Sequence, residues 1–148
     1  MNPKAEYNIY TDADAANIIF NCGIKIKVLG TDVTHKVIFT EEIFEKCKKM
    51  NTKSSNFAYY AMRGNYETWG DTYLHDPATV LYHLNNKIIK LKDYYCEVNT
   101  TNPDVNGTNY GTMDFIEPIN EINGNIEYSE SIDLDEYWKT FDEYIKKY

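Results

Sequence analysis

The amino-acid sequence predicts an α/β fold in which a sheet is flanked by helices, and three observations support this class. The stretch AANIIFN follows acidic residues and precedes Gly23, a combination typical of a helix that ends at a left-handed glycine. The next stretch, IKIKVLG, alternates apolar and polar residues as a strand does. With 148 residues and a hydrophobic fraction of 43%, the chain can bury a core, so we expect one folded domain spanning residues 1–148.

More helices are expected in the first half of the chain. Asp12 or Asp14 can cap the helix over AANIIFN, because an aspartate oxygen accepts hydrogen bonds from backbone N–H groups at a helix start. Thr40 opens EEIFEKCKKM, which is acidic at its start and basic at its end as the helix dipole favours. A further helix over SSNFAYYAMRG is expected to end at Gly64, and a polar and aromatic loop, NYETWGDTY, follows it.

The second half of the chain is expected to supply most of the strands. KIIKLKDYYCEV is typical of a strand, and shorter strands are predicted at TMDFI and NIEYSESI. Between the first two, NTTNPDVNGTNYG is rich in turn-forming residues and is predicted to be a loop. The sequence closes with a predicted helix, LDEYWKTFDEYIKKY.

The charge and cysteine composition narrows the possible partners. The formal net charge is −8, and Arg63 is the only arginine among 15 basic residues, so we expect no nucleic-acid partner. The start of the chain lacks the basic lead and apolar core of a signal peptide, and no apolar run approaches membrane-spanning length. We therefore expect no membrane partner and a cytoplasmic location. Cys22, Cys47 and Cys96 are few and widely spaced, which suits reduced thiols that fill a core.

The stretch TYLHDPATVLYHL contains the first candidate site, His75-Asp76. A structural explanation is sufficient by itself, because aspartate is a favoured N-cap and proline is favoured at the first helical position. Asp76 and Pro77 can therefore start a helix over ATVLYHL without any chemistry. A functional role needs polar groups from elsewhere, since one carboxylate neither holds a hard cation nor activates water.

A second polar pair, Glu6 and Asn8, lies in the stretch AEYN. Residues two apart on a strand point to the same side, so we expect Glu6 and Asn8 to face one way. Such a pair suits the rim of a parallel sheet, where ligands tend to bind. The alternative is an exposed strand end without a function.

Several stretches follow one another in a specific order: NPKAEYNIYTDADAANIIFNCGIKIKVLGTDVTHK, then LHDPATVLY, then the closing IDLDEYW. In this order they resemble the nucleoside hydrolases, the inosine-uridine-preferring family of calcium-dependent N-ribohydrolases. One stretch alone would be weak, but together they cover nearly the whole chain. The resemblance implies the C-terminal half of the nucleoside hydrolase fold, with a mainly parallel, Rossmann-like sheet flanked by helices.

The resemblance also implies an activity, which is cleavage of the N-glycosidic bond of purine or pyrimidine ribonucleosides to ribose and free base. Glu6 and Asn8 correspond to family residues that hydrogen-bond the ribose hydroxyls. Asp76 corresponds to a carboxylate that ligates calcium and contacts the ribose. His75 corresponds to the histidine near the nucleobase, which in part of the family assists the leaving group. We therefore expect Asp76 to be both a helix cap and a site residue.

One feature of the family has no counterpart in this sequence, namely its acidic cluster of the form D-x-D-x-x-x-D-D. Asp12 and Asp14 fall on the predicted helix start after AEYN, so they are interpreted as caps. With Asp76 as the one expected calcium ligand, we expect an incomplete calcium site and little or no hydrolysis by this chain alone. The implied partners are a ribonucleoside and either further copies of the chain or a separate N-terminal half.

Two other functions stay open. A non-catalytic remnant of the family would bind ribosides or a partner protein without hydrolysing the nucleoside. A His-Asp dyad also occurs in HD-type phosphohydrolases. That fold is all-helical and needs further His and Asp ligands, and the alternating IKIKV strand argues against it.

The remaining aromatic residues are ambiguous. Tyr66, Trp69 and Tyr73 precede His75, where stacking on a nucleobase and ordinary packing are both reasonable. His35 and His83 are more typical of surface or core positions than of ligands, so neither is assigned a role.

Overall fold

The computed structural model describes residues 6–103, 109–116 and 124–147. The chain divides into two compact units. The first unit contains the chain up to Gly30 together with Leu91–Glu130, and the second contains Thr31–Lys90 together with the chain from Ser131 onward. The expected single domain stays a prediction.

Among the described residues, most of the helices precede most of the strands, as the sequence suggested. The helices of the described residues are α1 (Tyr7–Thr11), α2 (Ala13–Phe20), α3 (Thr31–Thr34), α4 (Glu41–Met50), α5 (Lys53–Trp69), α6 (His75–Leu84) and α7 (Leu134–Ile145). A 3-10 turn covers Asn86–Ile88, just before the second strand. The strands are β1 (Ile26–Val28), β2 (Ile89–Pro103), β3 (Asn109–Ile116) and β4 (Ile126–Ile132).

The four strands form one sheet in the order β1-β4-β2-β3. Strands β1 and β4 are parallel, with Ile26 opposite Ile126, whereas β2 and β3 are antiparallel, with Cys96 opposite Phe115. The paired residues of both registers belong to the first unit. The predicted α/β class, a sheet flanked by helices, is therefore confirmed.

The core of the first unit forms where α2 packs on the sheet. Phe20 at the end of α2 is buried with Cys96, Val98 and Ile126 from the strands. As predicted, Asp12 caps α2, because its carboxylate accepts a hydrogen bond of 2.9 Å from the N–H of Ala15. The cap fixes the start of α2, and the burial of Phe20 fixes its end.

The second unit has a separate, mostly helical core. The ring of Phe39 lies edge-on to that of Phe44, with centroids 4.7 Å apart, and to that of Phe141, with centroids 6.0 Å apart. The buried apolar residues of this unit include Val33, Val37, Phe39, Phe44, Cys47, Leu74, Ala78, Leu81, Ile88, Tyr137 and Phe141. Cys47 and Cys96 are buried free thiols as expected, whereas Cys22 is exposed and does not fill a core. Burial raises the pKa of the Cys47 thiol.

Two predicted boundaries were wrong. Helix α5 continues through Gly64 to Trp69, so most of the predicted loop NYETWGDTY is helical. Gly64 is exposed and has no φ in the left-handed region, whereas Gly70 has a φ of +76° and ends the helix. Strand β2 likewise extends to Pro103, so the start of the predicted loop NTTNPDVNGTNYG is paired with β3. Residues 104–108 of that loop lie outside the described residues.

The side chain of Asn125 connects three parts of the first unit. Its Oδ1 accepts a hydrogen bond of 2.7 Å from the N–H of Cys96, and its Nδ2 donates one of 2.9 Å to the carbonyl of Cys96. Nδ2 also lies 3.2 Å from the carbonyl oxygen of Phe20. Because Cys96 is 1% exposed, its backbone polar groups have little access to water. Asn125 therefore acts as a backbone partner for β2 just before β4 begins.

Ion pairing connects β1 to β4 across the parallel register, in which Lys27 lies opposite Glu127. Lys27 Nζ donates a hydrogen bond to the Glu127 carboxylate, and Lys25 Nζ lies 3.2 Å from its other oxygen. These two lysines hold the pKa of Glu127 below its usual range. The folded chain therefore favours the ionised form of Glu127 more strongly than the unfolded chain does.

Within the described ranges, no helix is both long enough and apolar enough to cross a membrane.

Replacing Asn125 with alanine should destabilise the first unit by roughly 2–4 kcal/mol, because it leaves the buried N–H and carbonyl of Cys96 without their partner. Urea unfolding would measure the loss, and hydrogen exchange at the Cys96 amide would locate it. Asn17→Ala on exposed α2 is the matched control and should change stability by less than about 0.5 kcal/mol. Equal losses for the two variants would contradict this role of Asn125.

The Glu127→Gln variant should be less stable than the parent chain at neutral pH, by up to about 1 kcal/mol because the lysines are half-exposed. A lowered carboxyl pKa contributes stability that is complete above the unfolded pKa and disappears as pH falls through the folded pKa. The difference between parent and variant should therefore vanish in acid. Unfolding measured from neutral to acidic pH, with Glu97→Gln as an exposed control on β2, tests this. A difference independent of pH would disagree with it.

Candidate active site

Helix α6 begins two residues before the position that the sequence suggested. His75 is its first residue, Asp76 its second and Pro77 its third, and the N-cap is Leu74. The prediction that Asp76 is the N-cap and Pro77 the first helical residue was therefore wrong. Leu74 is buried and fixes the helix start, while Pro77 is tolerated because the first N–H groups of a helix have no intrahelical partner. Asp76 is exposed and makes no capping hydrogen bond, although its charge still suits the helix N-terminus.

Two chain segments pair to bring α3 next to the start of α6. Ile38 and Tyr73 form an isolated antiparallel bridge. On either side of it, the N–H of Phe39 donates to the carbonyl of Thr72 at 3.0 Å, and the N–H of Leu74 donates to that of Val37 at 3.0 Å. Both segments carry buried apolar residues, so the pairing is part of the core of the second unit.

This pairing assembles what we call the histidine cluster, which consists of Thr34, His35, Tyr73 and His75. The Oγ1 atom of Thr34 lies 2.8 Å from Nδ1 of His75. The His75 ring centroid lies 4.9 Å from that of His35 and 5.6 Å from that of Tyr73. The His35 and Tyr73 rings are themselves 4.7 Å apart. His75 is thus contacted by two rings and one hydroxyl, and it is half-buried at the surface of the second unit.

Sequence reasoning missed two of the four residues of this cluster. His35 had been assigned no role, and Thr34 was not considered. The available signal was their position in TDVTHK, one of the stretches that carry the family resemblance. Tyr73 contacts both histidine rings, and this position is consistent with stacking on a nucleobase and with ordinary packing. Tyr66 and Trp69 lie in the last turn of α5 rather than in a loop, and both side chains are exposed.

Glu6 and Asn8 do not lie on a strand, which corrects the prediction for AEYN. Glu6 is the N-cap of α1, and its Oε2 accepts hydrogen bonds of 2.8 Å from the N–H of Asn8 and 3.1 Å from that of Ile9. A carboxylate that satisfies two backbone donors favours a helix start over an extended strand. The two side chains still meet, because Nδ2 of Asn8 lies 3.4 Å from Oε1 of Glu6.

The four candidate residues fall into two pairs. Glu6 and Asn8 belong to the first unit, and His75 and Asp76 belong to the second. Each pair is brought together by the start of a helix, α1 in one case and α6 in the other.

The described residues do not by themselves fit a calcium ion. Nowhere among them do three or more His, Cys, Asp or Glu side chains converge in a way that could hold a metal. Calcium takes six to eight oxygen ligands, and Asp76 is one carboxylate. Calcium ligation by Asp76 would therefore need oxygen ligands that the described residues do not supply.

The chain combines a mixed α/β fold with an imidazole and a carboxylate at the start of one helix, and comparison with known proteins identifies its family. A family model described as inosine-uridine preferring nucleoside hydrolase matches residues 1–139. The chain belongs to this family, which confirms the resemblance found in the sequence.

Characterised relatives and solved structures agree with this assignment. The chain is 26% identical over 164 aligned residues to the pyrimidine-specific ribonucleoside hydrolase RihB of Shigella flexneri. It is 40% identical over 88 residues to the probable uridine nucleosidase 2 of Arabidopsis thaliana, an alignment that covers 55% of this chain and 27% of that protein. The purine-preferring ribonucleoside hydrolase from Gardnerella vaginalis has the same fold, with a TM-score of 0.74 at 22% identity over 96% of this chain. A plant nucleoside hydrolase, PpNRh1, superimposes with a TM-score of 0.77 at 24% identity over 99% of this chain.

The chain spans about half the length of the proteins that it matches throughout. Its alignment covers 100% of this chain but 48% of the Shigella flexneri protein. The structural alignments cover 46% of the Gardnerella vaginalis chain and 49% of the PpNRh1 chain.

Asp76→Ala should cost only about 0.3–1 kcal/mol of stability, because the exposed carboxylate favours the helix dipole without capping the helix. Two aspartates of α7 provide matched comparisons. Asp135 occupies the same second helical position and should behave alike, whereas Asp133 accepts a 3.0 Å hydrogen bond from Glu136 N–H as a true N-cap. Asp133→Ala should therefore cost about 1 kcal/mol or more in urea unfolding. If Asp76→Ala destabilises the chain as much as Asp133→Ala does, Asp76 caps α6 after all.

Proposed function

We propose that this chain carries the part of a nucleoside hydrolase site that contacts the nucleobase and the ribose. The reaction is hydrolysis of the N-glycosidic bond of a purine or pyrimidine ribonucleoside to ribose and free base. The observation that carries the proposal is the histidine cluster at the start of α6, where His75 is fixed by Thr34 and flanked by two rings, immediately before Asp76.

The chemistry of the bond explains why these residue types are suitable. Breaking a C–N bond to a ribose builds positive, oxocarbenium-like charge on the sugar and negative charge on the departing base. Histidine is the side chain that most readily donates a proton near neutral pH, so we assign His75 the role of assisting the leaving base. Its half-buried ring retains access to solvent, as a group that meets a substrate must.

Three further side chains have the chemistry of ribose contacts. Asp76 is exposed, so its carboxylate oxygens are accessible to sugar hydroxyls. Asn8 offers an exposed carboxamide, which has both donors and acceptors. Glu6 is held by the α1 backbone, which fixes its carboxylate but leaves it further acceptor capacity. We propose Glu6, Asn8 and Asp76 as the substrate-binding residues, with Asp76 also as a metal ligand.

The calcium ion that the family implies would activate and orient a water molecule once bound. Since the described residues of this chain contribute Asp76 and do not complete a site, we propose that the other ligands come from outside these residues. Further copies of this chain or a separate N-terminal half are the candidates. We place the protein in the cytoplasm, with free ribonucleosides as its substrates.

A second candidate function is a non-catalytic protein that binds ribosides or a partner protein. Two observations favour it. The match covers about half of the Shigella flexneri and PpNRh1 proteins, and Asp76 is the one expected calcium ligand among the described residues. In this case the ribose contacts would be retained while the hydrolytic step is lost.

The two candidates are separated by measuring sugar release and riboside binding together. The purified chain would be incubated with inosine or uridine and millimolar calcium, alone and with the N-terminal half of the Shigella flexneri relative. Reducing sugar would be assayed, and riboside binding would be followed by calorimetry. We expect little or no sugar release by the chain alone, and release in the mixture that His75→Ala and Asp76→Ala abolish.

A control variant tests whether the effect of Asp76→Ala is specific to that carboxylate. Asp135→Ala removes an equivalent exposed carboxylate from α7 and should leave both readouts unchanged. Asp76→Ala should weaken binding of the riboside about tenfold or more, because a charged hydrogen bond is lost. Binding that Asp76→Ala weakens, without release in the mixture, would favour the non-catalytic candidate. Neither binding nor release would refute both.

A further inference from the structure

The contact between Thr34 and His75 determines more than the position of the ring. Thr34 is the last residue of α3 and is 2% exposed, so its hydroxyl is screened from water. Oγ1 lies 2.8 Å from Nδ1 of His75, well within hydrogen-bonding distance. Because the hydroxyl belongs to α3 and the ring to α6, their contact depends on the paired segments 37–39 and 72–74.

The orientation of the ring is restricted as well. The His35 ring packs edge-on against His75, and the Tyr73 ring lies tilted beside it, so the imidazole has neighbours besides Thr34. Turning the ring over would present the Cδ2 carbon to the hydroxyl in place of Nδ1. This hydrogen bond would then be lost, which is unfavourable because the side chain of Thr34 is buried.

A neutral imidazole carries one hydrogen, either on Nδ1 or on Nε2, and the partner of one nitrogen decides which. A threonine hydroxyl can donate or accept, so distance alone does not assign the hydrogen. The proposed reaction distinguishes the two tautomers, since a departing base needs an N–H donor. With Nδ1 taken up by Thr34, that donor is Nε2.

We propose that Thr34 is a positioning residue that donates its hydroxyl hydrogen to Nδ1 of His75 and fixes the neutral ring in the tautomer with its hydrogen on Nε2. The inference rests on the proposed function, because it assigns Nε2 as the atom that hydrogen-bonds the departing base. The tautomer itself is a property of the chain that is measurable without any substrate.

Nitrogen-15 NMR of the uniformly labelled chain, at alkaline pH where the ring is neutral, reports the tautomer directly. In the parent chain, Nδ1 of His75 should have the chemical shift of an unprotonated nitrogen and Nε2 that of a protonated one. Thr34→Val, which keeps the shape but removes the hydroxyl, should shift His75 toward a mixture of tautomers. Thr34→Ser, which keeps the hydroxyl, should restore the pattern of the parent chain.

A matched control comes from another buried threonine of the same unit. Thr140 accepts a 2.9 Å hydrogen bond from Asn85 Nδ2 at the far end of α6, and Thr140→Val should leave the His75 tautomer unchanged. If Thr34→Val fails to fold, Thr34→Ala serves as a second deletion, and the tautomer of the parent chain remains decisive. A hydrogen on Nδ1 in the parent chain, or a tautomer unaffected by loss of the hydroxyl, would overturn the proposal.

The failure of the proposed function would be recognised separately. In the mixture that releases sugar, Thr34→Val should lower kcat about tenfold or more with little change in KM, and Thr34→Ser should recover it. If no mixture releases sugar while the tautomer responds as expected, the hydrolase function fails and the positioning of His75 stands. If sugar is released and kcat is insensitive to Thr34→Val, the catalytic part of this inference is wrong.

Discussion

The histidine cluster depends on two backbone hydrogen bonds, those that join segment 37–39 to segment 72–74. Without them Thr34 and His35 would have no fixed relation to His75, because α4 and α5 separate the two segments in the sequence. The bonds persist because the residues around them are buried. Val37, Phe39 and Leu74 are at most 3% exposed, so water cannot easily replace the peptide partners. The histidine cluster at the surface therefore depends on the buried pairing of segments 37–39 and 72–74.

In the first unit, the side chain of Asn125 holds separate segments of the chain together. Asn125 gives the backbone of Cys96 in β2 a donor and an acceptor just before β4 begins, and its third contact reaches the end of α2. Asparagine suits this place because its amide has the donor and acceptor geometry of a peptide group. Gly124 precedes it where a Cβ would meet the Tyr94 carbonyl at 3.1 Å, so a larger residue would be crowded there. The close approach and the hydrogen bonds reinforce one another.

Local patterns predicted the existence of most elements. The strand alternation of IKIKV, the capping by Asp12 and the closing helix all depend on residues near in sequence, and all three are present. Gly64 was mistaken for the end of α5 because a glycine in the sequence does not reveal its φ. Of Gly64 and Gly70, Gly70 is the one in the left-handed region. Glu6 was placed on a strand because its spacing to Asn8 fits a strand, although its carboxylate instead caps a helix. Capping and strand alternation compete for the same short segment.

The site was predictable only as far as motifs allow. His75 and Asp76 were found from their stretch, and their proposed roles come from the family rather than from their own geometry. Thr34 and His35 could not be found from local pattern, because their significance arises from a contact with a residue far along the chain. Periodicity and propensity describe neighbours in sequence and carry no information on such pairings. Contacts between residues far apart in the sequence were therefore the part of the site that could not be predicted.

The Ile38–Tyr73 bridge also bears on the order in which the second unit can form. It closes a loop that contains the whole of α4 and α5, and closing a flexible loop of that length costs entropy before any contact rewards it. If α4 and α5 have already formed and packed on each other, most of that loop is no longer flexible, and the ends meet at a smaller entropic cost. Nearby contacts would thus form on a faster timescale than the cluster, whose assembly comes last. The side chains to which we assign a role toward a substrate would then be among the last of this unit to become ordered.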